Sequence, residues 1–262
     1  MEAKIIIKDL VHEYTDEYTG DHVRALDGVG LEVADGEFVS VVGPSGCGKT
    51  TLLNILAGLL RPTSGRILVD GREVKGPGPD RGVVFQELAI LPWRTVVRNI
   101  GHGLEIQGLE RSERERRVRQ FVEMVGLEGF EHRYPHELSG GMKQRVALAR
   151  TLAANPVVML MDEPFAAVDA QTRITLQEEL NRIAQATRKT ILLVTHNVEE
   201  AAFLGDRCFI LTRRPGRIKR VVEIPIPRPR RQWKTLSADP DFTARRDEIL
   251  TLVREEVRGG EE

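Results

Sequence analysis

The chain has 262 residues, 38 basic and 39 acidic, for a formal net charge of −1. That length holds one large domain or two small ones with a substantial core, and the charge balance excludes a global field steering the protein to nucleic acid or an anionic membrane. Two cysteines form no disulfide framework and fit a reducing compartment.

In chain order, residues 1–9 are interrupted by charges and lack the apolar stretch of an export signal. No apolar run approaches the ~20 residues needed to span a bilayer, so a membrane role is expected to come through a partner. Short apolar runs predict strands at 5–7, 30–33, 38–42, 65–69, 82–85, 157–161, 190–194 and 207–211. The later ones are continuous, as strands buried on both faces are. Ala34-Asp35-Gly36, Arg61-Pro62-Thr63-Ser64-Gly65 and Gly76-Pro77-Gly78-Pro79-Asp80 supply the turns. From 88 to 155 strands give way to helical patterns at 96–107, 112–125 and 140–154, an insertion into an α/β core. The charge-dense stretch 110–119 reads as a solvated helix face. From Pro225, Pro-Ile-Pro-Arg-Pro-Arg-Arg breaks regular structure and reads as a solvated linker before a final helix at 241–257.

One segment carries the chemistry. The strand at 38–42 runs into Gly43-Pro44-Ser45-Gly46-Cys47-Gly48-Lys49-Thr50, and Thr51-Leu52-Leu53-Asn54-Ile55-Leu56-Ala57 follows with helical spacing. Strand, glycine-rich turn and helix is the context in which this pattern cradles phosphate. The glycines let backbone N–H groups face phosphate oxygens, and the helix start adds its positive dipole end. Lys49 would reach the outer phosphates and the Thr50 hydroxyl would hold Mg²⁺. The segment predicts a nucleoside triphosphate site.

Other residues group around it. Asp162 ends the apolar run 157–161, at the sheet edge where ligands bind in parallel sheets, and could hold Mg²⁺ opposite Thr50. Glu163, one residue on, is the candidate for orienting or deprotonating an attacking water. Gln86 and His196 end two further strands; the amide could coordinate Mg²⁺ and the imidazole could bond the γ-phosphate or the water. Leu138-Ser139-Gly140-Gly141-Met142 opens a helix with a natural N-cap and paired glycines. It is a second anion-binding helix start without a Lys-Thr pair, half of a site whose other half lies elsewhere.

Residues 43–50, Gln86, 138–142, Asp162-Glu163, Asp169 and His196, in this order and spacing, resemble the ATPase subunit of ATP-binding cassette (ABC) transporters over roughly residues 3–225. The resemblance implies a P-loop NTPase (RecA-like) core, an N-terminal antiparallel β-subdomain and an inserted helical subdomain. On that reading 1–225 form the nucleotide-binding domain, with the core at 1–87 and 156–225 and the helical subdomain at 88–155; 226–262 are a tail. It also implies ATP sandwiched between two copies paired head to tail. Ser139, Gly140 and Gly141, flanked by Leu138 and Met142, would then contact the partner's γ-phosphate, and Asp169 would communicate across the interface. Thr51 joins the ATP-binding set, and Tyr14 or Tyr18 would stack on adenine.

Asp80-Arg81-Gly82-Val83-Val84-Phe85-Gln86, Leu91-Pro92-Trp93-Arg94-Thr95-Val96 and Thr195-His196-Asn197-Val198-Glu199-Glu200-Ala201 are most similar to importers of the nitrate/sulfonate/taurine type. The implied protein is an ATP hydrolase on the cytoplasmic face of the inner membrane, partnered with permease subunits and indirectly with an extracytoplasmic solute-binding protein, and not with nucleic acid. Trp93 is either a permease anchor or part of the helical subdomain's core. Soluble ABC ATPases are the rival class. Translation-type members carry two cassettes and repair-type members a long coiled coil, whereas here one cassette has about ninety residues between its phosphate loop and signature. A module that binds ATP without hydrolysing it would not need Glu163 and His196.

Overall fold

The computed structural model describes residues 3–15, 18 and 20–258; residues 1–2 and 259–262, at the ends of the expected domain and tail, lie outside them. Strand β1 (Ala3–Thr15) pairs antiparallel with β2 (His22–Ala34). Strand β3 (Phe38–Val42) feeds helix α1 (Lys49–Ala57), and β4 (Ser64–Val69) and β5 (Arg72–Glu73) complete the first sheet in the order β2-β1-β4-β5. After β6 (Arg81–Val84) come α2 (Val96–Ile100), α3 (His102–Ile106), α4 (Arg111–Met124) and α5 (Gly140–Ala153). Strand β7 (Val158–Asp162), α6 (Ala170–Thr187), β8 (Thr190–Val194), α7 (Val198–Leu204), β9 (Arg207–Leu211) and β10 (Ile218–Glu223) return to the core. Helices α8 (Trp233–Leu236) and α9 (Pro240–Arg258) close the chain. Among the described residues no helix is long and apolar enough to cross a membrane.

The second sheet runs β10-β9-β3-β8-β7-β6, parallel except for β10 at its edge. Its strands are apolar throughout because both faces are covered. Ile191 and Leu193 of β8 join the cluster packed with α5, α6 and α7, while Leu192 and Val194 join the one holding α1 and the first sheet. Alternate residues of one run thus serve two cores. The expected architecture is present: an α/β core, an antiparallel β-subdomain and a helical insertion.

Three local expectations change. Strands β1 and β2 are 13 residues each, far longer than the short apolar runs implied, because register shifts and the left-handed Asp9 (φ 49°) interrupt the period-2 signal. The single helix expected at 96–107 is two, broken at Gly101, where a Cβ would stand 3.2 Å from both Val118 Cγ2 and the Val97 carbonyl. The solvated linker is the third correction. Arg231 is buried, donating to the carbonyls of Phe203 (3.1 Å), Leu204 (2.9 Å) and Gly205 (2.9 Å) at the end of α7 and pairing with Asp206 at 3.0 Å. Arg228 lies over the Phe38 ring, 5.1 Å from its centroid. Trp233 stacks on Phe203 at 4.5 Å, and Phe242 and Ile249 bury the inner face of α9. The arginines satisfy orphan helix carbonyls and a carboxylate, a use that local composition does not signal.

Candidate nucleotide site

Four adjacent strands of the parallel sheet deliver the site. The phosphate loop follows β3, His196 follows β8, Asp162 ends β7 with Glu163 next after it, and Gln86 follows β6. All four ends are carboxyl ends, so residues separated by up to 153 positions in sequence meet along one sheet edge.

The loop from Gly43 to Thr50 is shaped by its glycines. Gly48 has φ 100°, and a Cβ there would lie 2.7 Å from Leu26 Cδ2 and 2.9 Å from the Ala25 carbonyl, so the loop is pressed against β2. Gly46, at φ 74°, would meet nothing within 4 Å and marks the open side of the cradle, beside exposed Ser45. Lys49 is only 7% exposed; its Nζ donates to the carbonyls of Gly43 (2.8 Å) and Pro44 (2.9 Å). Cys47 is buried, which pushes its thiol up against the pull of Lys49. Gly216 supports the loop from beneath, where a Cβ would run into the Cys47 carbonyl. Sequence reasoning missed Gly216; a lone glycine 168 residues beyond Gly48 gives no local signal.

Thr50 Oγ1 donates to Asp162 Oδ1 at 3.3 Å. Burial raises the Asp162 pKa, the Thr50 bond opposes that, and the neighbouring Glu163 charge adds to it. A buried carboxylate bonded to a hydroxyl, near Lys49 and repelled by Glu163, favours a further cation beside it. The Asp162 carboxylate and the Thr50 hydroxyl, bonded to each other beside the phosphate cradle, are oxygen donors of the kind that suits Mg²⁺. Glu163 sits at φ 44°, a left-handed conformation unusual for a non-glycine residue and characteristic of functional sites. Its N–H donates to the Val194 carbonyl at 2.9 Å, and its Oε2 lies 3.0 Å from His196 Nδ1. The two side chains predicted to act at the γ-phosphate are therefore paired with each other.

Gln86 is exposed at the end of β6. The chain beyond it is held by Arg150 of α5, which donates to the carbonyls of Leu88 (2.9 Å) and Ala89 (2.6 Å). That link was invisible in sequence. Tyr14, 44% exposed, brings its hydroxyl within 3.1 Å of Thr51 Oγ1 at the start of α1, whereas Tyr18 is exposed. His12 supports the Tyr14 ring edge-on, with centroids 4.6 Å apart.

The second glycine-rich helix start is built differently. Ser139 caps α5, its Oγ accepting from the Met142 N–H at 3.3 Å. Leu138 is buried beneath it, and Gly141 leaves room for Thr172 of α6, which would be 2.7 Å from a Cβ. Ser139 and Gly140 face outward, and a Cβ on Gly140 would meet nothing within 4 Å. Asp169 caps α6, its carboxylate accepting from the Thr172 N–H at 3.0 Å, a bond that lowers its pKa. Trp93 is 70% exposed on the rim of an open groove of 1020 Å³ in the helical region, which rules out the core reading of that residue.

Comparison with known proteins agrees with this geometry. A family profile described as ABC transporter matches residues 26–166, more than half of the chain. An uncharacterised ABC transporter ATP-binding protein of Methanocaldococcus jannaschii is 53% identical over 98% of this chain and 94% of its own. A nitrate import ATP-binding protein of Synechocystis is 48% identical over 88% of this chain and 89% of its own. Among solved structures, a dimeric ATP-binding cassette in a post-hydrolysis state with ADP and phosphate superposes with a TM-score of 0.74 at 31% identity, covering 85% of this chain and all of that one. The chain belongs to the ABC transporter family, as an ATP-binding and ATP-hydrolysing subunit.

Proposed function

We propose that this subunit powers uptake of a small anionic solute, such as nitrate, a sulfonate or taurine, through a membrane permease. The observation that carries the proposal is the pairing of one complete phosphate loop with one outward-facing half-site on the same chain. In a head-to-tail dimer, ATP bound by Gly43, Pro44, Ser45, Gly46, Cys47, Gly48, Lys49, Thr50 and Thr51 of one copy is closed over by Ser139, Gly140 and Gly141 of the other. Leu138 and Met142 seat that helix start, and Asp169 lies at the edge of the interface. Tyr14 stacks on adenine. Thr50, Gln86 and Asp162 would hold Mg²⁺, which supplies charge neutralisation at the β- and γ-phosphates. Glu163 orients and deprotonates the attacking water, while His196, 3.0 Å away, holds the carboxylate and reaches the γ-phosphate.

Docking of the permease falls to the segment after Gln86, with Trp93 as an exposed aromatic anchor. The subunit would then sit on the cytoplasmic face of the inner membrane, and solute would arrive through an extracytoplasmic binding protein that it never touches. The nitrate-import name of the Synechocystis relative supports the solute class, as do the segments around Gln86 and His196. Near-neutral net charge speaks against a nucleic-acid partner.

The test is Glu163→Gln. This variant is expected to bind ATP with unchanged affinity, lose at least about 100-fold in kcat, and accumulate an ATP-bound dimer on size-exclusion chromatography. Hydrolysis at the parent rate would remove Glu163 from the role.

A further inference from the structure

A small pocket of about 40 Å³ is lined by the paired Glu163 and His196. Phe165 and Ala166 also line it, as do two ionisable groups that the mechanism above does not use. One is Glu200 of α7, only 4% exposed, whose Oε1 is buried with no hydrogen-bond partner among the described residues. The other is Arg173 of α6, whose Nε is likewise buried and unpartnered. Two buried polar atoms without partners, one acceptor and one donor, at one small pocket are a rare arrangement and call for a role. The space accommodates about one water between them.

Both residues are wired to the loops that matter. Arg173 Nη2 donates to the carbonyl of Val168, the residue before Asp169, at 2.9 Å. The N–H of Glu200 donates to Asn197 Oδ1 at 3.1 Å, and the Asn197 N–H donates to Thr195 Oγ1 at 3.0 Å, so Glu200 shares its hydrogen-bonded turn with His196. From α6, Gln177 closes the same side and accepts from Trp233 Nε1 at 3.1 Å. Burial pushes the Glu200 carboxyl from the usual 4.5 up to about 8, against the pull of Arg173 and of hydrogen bonds with the Thr195 and Gln177 side chains. Arg173 and Glu163 are the charges that act on it, and His196 lines the same cavity. Of the other elements packed on α7, β3 contributes the neutral Ser40, whose hydroxyl donates to the Ala201 carbonyl. The Arg207 guanidinium of β9 is paired with Glu37, and Arg246 of α9 is near Glu199.

We propose that Glu200 is a positioning residue for ATP hydrolysis, acting with Arg173 to hold the Asp169 loop and the His196 turn in one fixed relation. The inference rests on the reading of Glu163 and His196 given under the proposed function. Neutral Glu200 leaves Arg173 free to hold the Val168 carbonyl. Ionised, it would draw the guanidinium off that carbonyl and would repel the Glu163 carboxylate across the cavity. Both changes disturb the alignment on which turnover depends.

The experiment is the pH profile of kcat for the parent protein, Glu200→Gln and Glu200→Ala, with KM for ATP measured in parallel. Gln keeps the shape of the neutral carboxyl and cannot ionise. The ratio of kcat in Glu200→Gln to that of the parent is expected to rise about tenfold between pH 7 and pH 9, as the parent ionises. Any other group titrating in both proteins cancels in that ratio. Glu200→Ala is expected to lower kcat about tenfold with KM within about twofold of the parent, and Glu200→Gln to restore most of the loss. A ratio constant within about twofold across that range overturns the proposal, and so does an Ala variant with parental kcat. Should Glu200→Ala fail to fold, the Gln ratio alone decides. Full hydrolysis by Glu163→Gln would instead sink the reading of Glu163, and is measured independently of Glu200.

Discussion

The chain contains two glycine-rich helix starts, and they are built on opposite plans. The start of α1 is enclosed: Gly48 is left-handed at φ 100° and has no side-chain cap, Lys49 is buried, and β2 and Gly216 press on the loop from below. The start of α5 is open: Ser139 caps it in the ordinary extended conformation and Gly140 faces empty space. Both expose helix N–H groups that attract anions. The first has everything an anion needs within its own chain. The second has a cap and little else, and this asymmetry supports reading it as the lid of a site belonging to another copy.

Replacing the equivalent glycines is the strongest way to break that comparison. Gly48→Ala places a methyl 2.7 Å from Leu26 Cδ2 on a backbone that L residues rarely adopt. We expect a loss of roughly 1–3 kcal/mol of stability and at least tenfold weaker nucleotide binding by the isolated subunit, read by calorimetry. Gly140→Ala is expected to behave in the opposite way. Its backbone φ is not left-handed and the methyl meets nothing, so stability should hold or rise by about 0.5 kcal/mol. Nucleotide affinity of the isolated subunit should stay within about twofold, while turnover falls about tenfold or more because the methyl occupies the surface that closes over the partner's γ-phosphate. If Gly140→Ala instead weakened nucleotide binding by the isolated subunit, α5 would belong to the site of its own chain.

The two helix starts were also unequally legible, as was the rest of the fold. Strands at 38–42, 190–194 and 207–211 have the bounds the sequence suggested, because burial on both faces leaves an uninterrupted apolar run. The phosphate loop was plain, since its glycines answer to local backbone demands. What sequence could not show depends on distant partners. Gly216 matters because the Cys47 carbonyl sits above it, and Arg150 because its guanidinium reaches Leu88 and Ala89. Arg231 reads as linker until α7 presents it with three carbonyls. Glu200 lies beside Glu199 in sequence, and both are ordinary acidic residues in the first turn of a helix. Only tertiary packing buries one of them and raises its pKa. The apolar Ala201-Ala202-Phe203-Leu204 that follows is the one local hint that this helix is largely enclosed.

The smallest expected effect separates the two jobs assigned to Ser139. Its hydroxyl accepts from the Met142 N–H at 3.3 Å, a long bond at an exposed position, so Ser139→Ala should cost about 0.5–1 kcal/mol, or about 2 °C in Tm for a chain of this size. Ser139→Asn keeps a capping oxygen, and its Tm should match the parent's. If the residue only caps α5, turnover should follow stability and Asn should be as active as Ser. If it also contacts the partner's γ-phosphate, Asn should be capped, stable and slow, because its longer side chain crowds the surface where a phosphate must approach. Thermal unfolding and ATPase rate measured on the same preparations read the two roles separately. A stable, fully active Ser139→Asn would leave α5 with a cap and no part in closing the site.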